Sequence, residues 1–227
     1  MPNDAVLPSG RVIRRYQVFL LGLVVFVIVA VIVVQQAASV FTNYLWYRSE
    51  GADPVWRVMT ITRLELDVFF AGIFFVLCWI SLFMVDRVAR RALFMSPEQE
   101  LIRRYQTIIA GHKFALRTVV SFLLALAVGS GAPSQWQNWL LFLHGGNFGI
   151  RDPQFHRDVG FYVFRLPFLS FLVGWTQVAL IVLFIVCVVA YYLNGGVRFS
   201  GPSPRVDPRA TAHLSVILAA MALLRAA

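Results

Sequence analysis

His144, Asp152, His156 and Asp158 are the side chains in this 227-residue chain whose types could assemble a metal site. Imidazole and carboxylate both bind zinc, but the chain has no HExxH and no close histidine pair to hold an ion. The preferred reading is a loop ordered by hydrogen bonds and ion pairs. Arg151-Asp152 and Arg157-Asp158 are two Arg-Asp pairs six residues apart, set around a turn-prone Asp152-Pro153. Arg151, Asp152, His156, Arg157 and Asp158 are therefore the structural candidates of this segment. Cys78 and Cys187 both fall inside apolar blocks at different expected depths, and read as small buried hydrophobes. No GxxxxGKS, GxGxxG or GxSxG motif occurs, so nucleotide hydrolysis and serine hydrolysis have no support. No cofactor and no catalytic residue is expected.

The elements that must position these residues are apolar blocks. The chain is 59% hydrophobic and 14% charged, whereas a soluble domain is closer to half apolar and a quarter charged. Residues 18–34 are apolar or Gly without interruption, residues 68–85 contain only Ser81, and residues 168–193 contain nothing more polar than Ser170, Thr176 and Gln177. A helix needs roughly 20 residues to cross a hydrocarbon core of about 30 Å. Residues 114–132 qualify if Arg117 snorkels to the headgroups. Residues 214–224 are too few to span before Arg225 and Ala227. The expected fold is all-α: a polytopic α-helical membrane protein with four full transmembrane helices, the start of a fifth, and interfacial amphipathic helices. In numbers, a tail 1–15 leads to spans 16–40, 67–85, 114–132 and 168–193 and a truncated fifth at 212–227. These are joined by outer loops 41–66 and 133–167 and cytoplasmic loops 86–113 and 194–211.

Charge placement orients this scheme. Of the 20 Lys and Arg residues, thirteen fall in the tail and the 86–117 and 194–211 regions, against six on the opposite side. The positive-inside rule puts the thirteen in the cytoplasm and the amino terminus with them. The net charge of +9 then needs no nucleic-acid partner. Tyr44, Trp46, Tyr47, Trp56, Trp136 and Trp139 fit an outer interface, and Tyr191 and Tyr192 an inner one.

Two loops carry local signals. Ser96-Pro97-Glu98-Gln99 is a capping-box start for an amphipathic helix at 97–110, with Leu101, Ile102, Tyr105, Ile108 and Ile109 on one face. Arg103 and Arg104 are its candidates for the inner-leaflet lipid surface, and packing under the bundle is the competing reading. In the 133–167 loop, Ser134 is expected to cap a short helix bearing Trp136, Trp139, Leu140 and Leu143, which Gly145-Gly146-Asn147 ends. A loop this apolar should fold onto the bundle or against another domain. Transport needs polar groups at membrane depth. Glu65, Asp67 and Arg117 lie at span edges, and Thr176 and Gln177 can serve as interhelical hydrogen-bond partners.

The run Phe148-Gly149-x-x-Asp152-Pro153-x-Phe155, followed by Asp158-Val159-Gly160-Phe161-Tyr162-Val163-Phe164-x-Leu166-Pro167-Phe168, resembles uncharacterised protein family 0182. Residues 41–47, Gly195-Gly196-Val197-Arg198, Arg205-Val206 and Ala212-His213-Leu214 are similar to the same family. His156 departs from it, standing where a small residue such as Gly is expected. The resemblance implies a large bacterial integral membrane protein of the plasma membrane, with a multi-span amino-terminal region and a larger extracytoplasmic part beyond this chain. It implies no catalytic residues. The expected role is to anchor and orient that part. A channel or transporter completed by further helices, or a membrane enzyme with its site elsewhere, are the alternatives. Expected partners are the lipid bilayer and the missing carboxy-terminal part or other membrane subunits.

Overall fold

In the computed structural model, residues 10–89, 113–194, 197–198 and 205–226 are described. They form two compact units, Met1–Met59 and Thr60–Ala227. Helix α1 runs Gly10–Ser49 and α2 runs Asp53–Ala89. At 1.5 Å per residue their 40 and 37 residues reach beyond a hydrocarbon core of about 30 Å. Hence most of the expected 41–66 loop is helix. Apolar block length measures the bilayer crossing, but the i→i−4 ladder continues into the polar ends. The link is closed by Gly51, at φ +67, where a residue with a Cβ would be strained. Within the first unit Tyr44 stands edge-on to Trp56, ring centres 5.0 Å apart.

The second unit begins with the remainder of α2 and continues through α3 (Lys113–Gly129), a 3-10 turn (Ala132–Gln135) and α4 (Trp136–His144). A π turn, Phe161–Arg165, leads into α5 (Leu166–Leu193), with Pro167 in the first helical turn, where its missing N–H costs nothing. Two-residue strands β1 (Val197–Arg198) and β2 (Arg205–Val206) pair antiparallel, Val197 opposite Val206. Helix α6 spans Pro208–Ala226. The 214–224 block is thus the middle of a 19-residue helix. Among the described residues, four segments are long and apolar enough to cross a membrane: Asp53–Val88, Lys113–His144, Phe161–Leu193 and Pro208–Ala226. Helix α1 carries the uninterrupted 18–34 run in addition.

Helices α2, α3, α5 and α6 pack through small or aromatic residues. Ser121, Ala125 and Gly129 form the buried stripe of α3, and a Cβ on Gly129 would lie 2.9 Å from that of Ala71. Small residues let membrane helices approach closely where the hydrophobic effect gives no drive. Phe70 meets Phe171 and Trp175 at 5.3 and 4.7 Å. The apolar side chains turned away from these contacts stay uncovered: only 28% of the most apolar window of α2 is buried. A lipid surround removes the cost of that exposure.

Several sequence expectations change here. Trp175, rather than Thr176, makes the interhelical bond, donating its Nε1–H to the Val128 carbonyl at 3.0 Å. That carbonyl lies in the last turn of α3, where acceptors lack helical partners. Thr176 donates to Leu172 of its own helix at 2.7 Å, the i−4 carbonyl being its nearest acceptor. Tyr191, expected to have a wet edge, is fully buried among the helices, its hydroxyl 3.0 Å from His213 Nδ1 of α6. Cys78 and Cys187, read as small buried hydrophobes, are both fully buried and belong to one core cluster.

Candidate functional site

The Asp152 and Asp158 segment is built around backbone donors. Residues 145–160 leave α4 at Gly145 and return to the π turn. Arg151 and Asp158 form an antiparallel bridge, with Asp152 N–H donating to the Arg157 carbonyl at 2.8 Å and Val159 N–H to Ile150 at 2.9 Å. The Asp152 carboxylate accepts from Phe155 N–H at 2.9 Å and from the Tyr162 hydroxyl at 3.2 Å. Asp158 accepts from three amides: Phe148 at 3.0 Å, Gly149 at 2.9 Å and Gly160 at 2.7 Å. The Phe148 and Gly160 amides, above all, hold its carboxyl below the usual carboxylate value; Gly149 and the nearby Arg151 charge add to this, against partial desolvation.

The two aspartates are therefore used as turn acceptors, each beside its own arginine in sequence. Arg157 lies over the Phe161 ring at 5.4 Å. His156 adopts φ +54, the left-handed region that Gly enters freely. The residue that departs from the family pattern is the one whose backbone asks for glycine. Ser134 does not cap α4: its hydroxyl donates to the Gly131 carbonyl at 2.7 Å, at the preceding 3-10 turn, and Gln135 occupies the cap position without bonding a helix N–H, its Oε1 accepting from the Asn138 side chain at 2.7 Å instead. The segment packs on itself and on the π turn that follows it. Phe148 stacks on Phe164 at 5.5 Å, and a Cβ on Gly160 would strike the Gly146 carbonyl. Ile150 and Phe155 nonetheless stay 67% and 66% exposed. No three His, Cys, Asp or Glu side chains group together among the described residues.

A second arrangement escaped sequence reasoning. Arg117, expected to snorkel, turns inward and is 10% exposed, with Nη1 3.6 Å from Asp86 Oδ2. Its guanidinium carbon sits 4.1 Å from the Trp79 ring centre, 5.1 Å from Phe83 and 5.7 Å from Phe114. The Trp79 indole donates to Thr118 Oγ1 at 3.3 Å, which fixes its plane. Beside this group, Lys113, Asn194 and the apolar side chains of Leu116 and Val189 line a cavity of about 320 Å³. The one available signal was a pair of opposite charges at the ends of two apolar blocks. Arg103, Arg104 and the 97–110 helix lie outside the described residues.

A family model described as "Uncharacterised protein family (UPF0182)" matches residues 20–227. The chain belongs to UPF0182. A UPF0182 protein of Frankia casuarinae is 33% identical over 218 residues, covering 96% of this chain and 21% of that protein. UPF0182 proteins of Salinispora arenicola and Streptomyces coelicolor are each 35% identical, covering 96% and 99% of this chain and 22% of their own lengths. This UPF0182 chain thus spans about a fifth of the length of the curated relatives it matches. No solved structure matches it. Membership and the apolar helices together make it an integral membrane protein of an uncharacterised family.

Proposed function

We propose that this part of the protein is a membrane anchor whose 145–165 segment is a platform for the much longer remainder found in its relatives. One observation carries the reading. The segment is held by amide–carboxylate bonds at Asp158 and Asp152, yet presents Ile150 and Phe155 two-thirds exposed. A loop whose backbone is fixed while large apolar side chains face outward is suited to being covered. The distribution of arginine supports an outer position for it and a cytoplasmic amino terminus in a bacterial plasma membrane.

The test uses the full-length protein in intact cells, with single cysteines at Ser134, Ile150 and Ser96 and a membrane-impermeant thiol reagent. Ser134→Cys is expected to react from outside, Ile150→Cys to react much more slowly, and Ser96→Cys only after permeabilisation. Equal reaction at 134 and 150 overturns the platform, and reaction of Ser96→Cys alone overturns the orientation. Channel, transporter and enzyme readings have no supporting geometry among the described residues.

A further inference from the structure

The Arg117 cavity lies where the ends of three helices meet: the last turn of α2, the first of α3 and the last of α5. Its deeper walls are aliphatic, from Leu82, Val120, Ile185 and Val186. Its polar groups are Lys113, Arg117, Asp86 and Asn194. The Arg117 side chain is nine-tenths buried, and its Nε–H has no hydrogen-bond partner. A buried, unanswered donor on a charged group is costly unless a ligand satisfies it. The aromatic faces hold the cation without consuming its N–H groups. Asp86 engages it from the Nη1 side at 3.6 Å, which leaves the Nε edge unoccupied. Asn194 spends one amide hydrogen on the Ala190 carbonyl of its own helix at 3.0 Å, so the charged donors facing a ligand are those of Arg117 and Lys113. Among the described lining residues, two cations against one carboxylate leave a single net positive charge.

We propose that this cavity binds a phosphate diester oxyanion, with Arg117 Nε–H and the Lys113 ammonium as its donors. One negative charge on the ligand matches the net charge of the mouth. About 320 Å³ is at the lower end of ligand-pocket volumes, enough for a headgroup and the first carbons below it. The aliphatic walls favour an anionic phospholipid over a soluble phosphate, because they would face water around a bare anion and meet acyl carbons around a lipid. The site does not depend on the platform reading, as it uses neither the 145–165 segment nor the remainder of the protein.

The experiment places full-length protein in phosphatidylcholine vesicles containing doxyl-labelled phosphatidylglycerol and measures the motionally restricted fraction. Lys113→Glu is expected to weaken retention of the label roughly tenfold, since a charged hydrogen bond is lost. Ala190→Phe, which fills the cavity and leaves every charge in place, should have a similar effect. Competition by unlabelled phosphatidylglycerol alone identifies the lipid. Equal competition by inorganic phosphate upholds the oxyanion site but makes its ligand soluble. Restriction no greater than that of doxyl-labelled phosphatidylcholine, or restriction unchanged in both variants, overturns the proposal.

Discussion

The guanidinium carbon of Arg117 lies 4.1 Å from the centre of the Trp79 ring, while its Nη1 faces Asp86 at 3.6 Å. The first contact joins α3 to the middle of α2 and the second to the end of α2, so one side chain clamps two levels of the same helix. Removing Asp86 leaves a buried cation without this counter-charge, and breaking a buried pair in this way costs about 3–5 kcal/mol. Asp86→Ala is expected to lower the thermal midpoint of the detergent-solubilised protein more than Asp86→Ala combined with Arg117→Met. A double variant as unstable as the sum of the singles would show that the pair is not coupled.

Asp158 gives a pH prediction. Its folded carboxyl titrates below its ordinary value of 3.8 because three amides and Arg151 favour the charged form. A depressed folded value stabilises the loop above the unfolded value. That stability is lost as pH falls through the lower, folded one. Carboxyl-carbon NMR should place the Asp158 titration below that of an exposed aspartate. Asp158→Asn should abolish the depression and release the Phe148, Gly149 and Gly160 amides to hydrogen exchange.

His156 holds φ +54, a region that a β-branched residue enters only at a cost of about 1–2 kcal/mol. His156→Val is expected to increase cleavage of the 145–165 segment by added protease, whereas His156→Gly leaves it unchanged or slower. Equal cleavage of the two variants would remove the backbone explanation.

Two glycines on facing helices should respond in opposite senses. Gly129→Ala puts a methyl 2.9 Å from Ala71 Cβ, and overpacking of this kind costs about 1–3 kcal/mol. At Gly72 a Cβ meets nothing within 4 Å, so Gly72→Ala gains the usual helix preference of about 1 kcal/mol. Thermal melts of the two variants check the difference in sign.

Charge reversal at Asp152 removes the acceptor of Phe155 N–H and the Tyr162 hydroxyl. Asp152→Arg should open the turn to external protease without changing the helical circular dichroism signal. Retained resistance in this variant and in Asp158→Arg would show that neither carboxylate secures the segment.

The sequence by itself determined the class of the fold and where its long apolar helices run. Hydrocarbon admits only backbone that satisfies its own hydrogen bonds, and a run such as 168–193 leaves few alternatives to a helix. It also located the turn around Asp152-Pro153, a local property of a few residues, whereas His156 stood out only through the family resemblance. Helix ends were less legible. Beyond the bilayer, polar residues such as Asn43 and Arg57 are compatible with either loop or helix, and the chain continues as helix. Partner choice was not legible at all. Whether Arg117 snorkels or turns inward depends on Asp86 and Trp79, which are 31 and 38 residues away in the chain. Tyr191 likewise looks interfacial until His213 of α6 stands beside its hydroxyl. Apolar patterning fixes how deep a residue sits along its own helix. Which neighbour it faces is set by the rotation and close approach of whole helices, as at Gly129 and Ala71, and only the packed tertiary structure decides that.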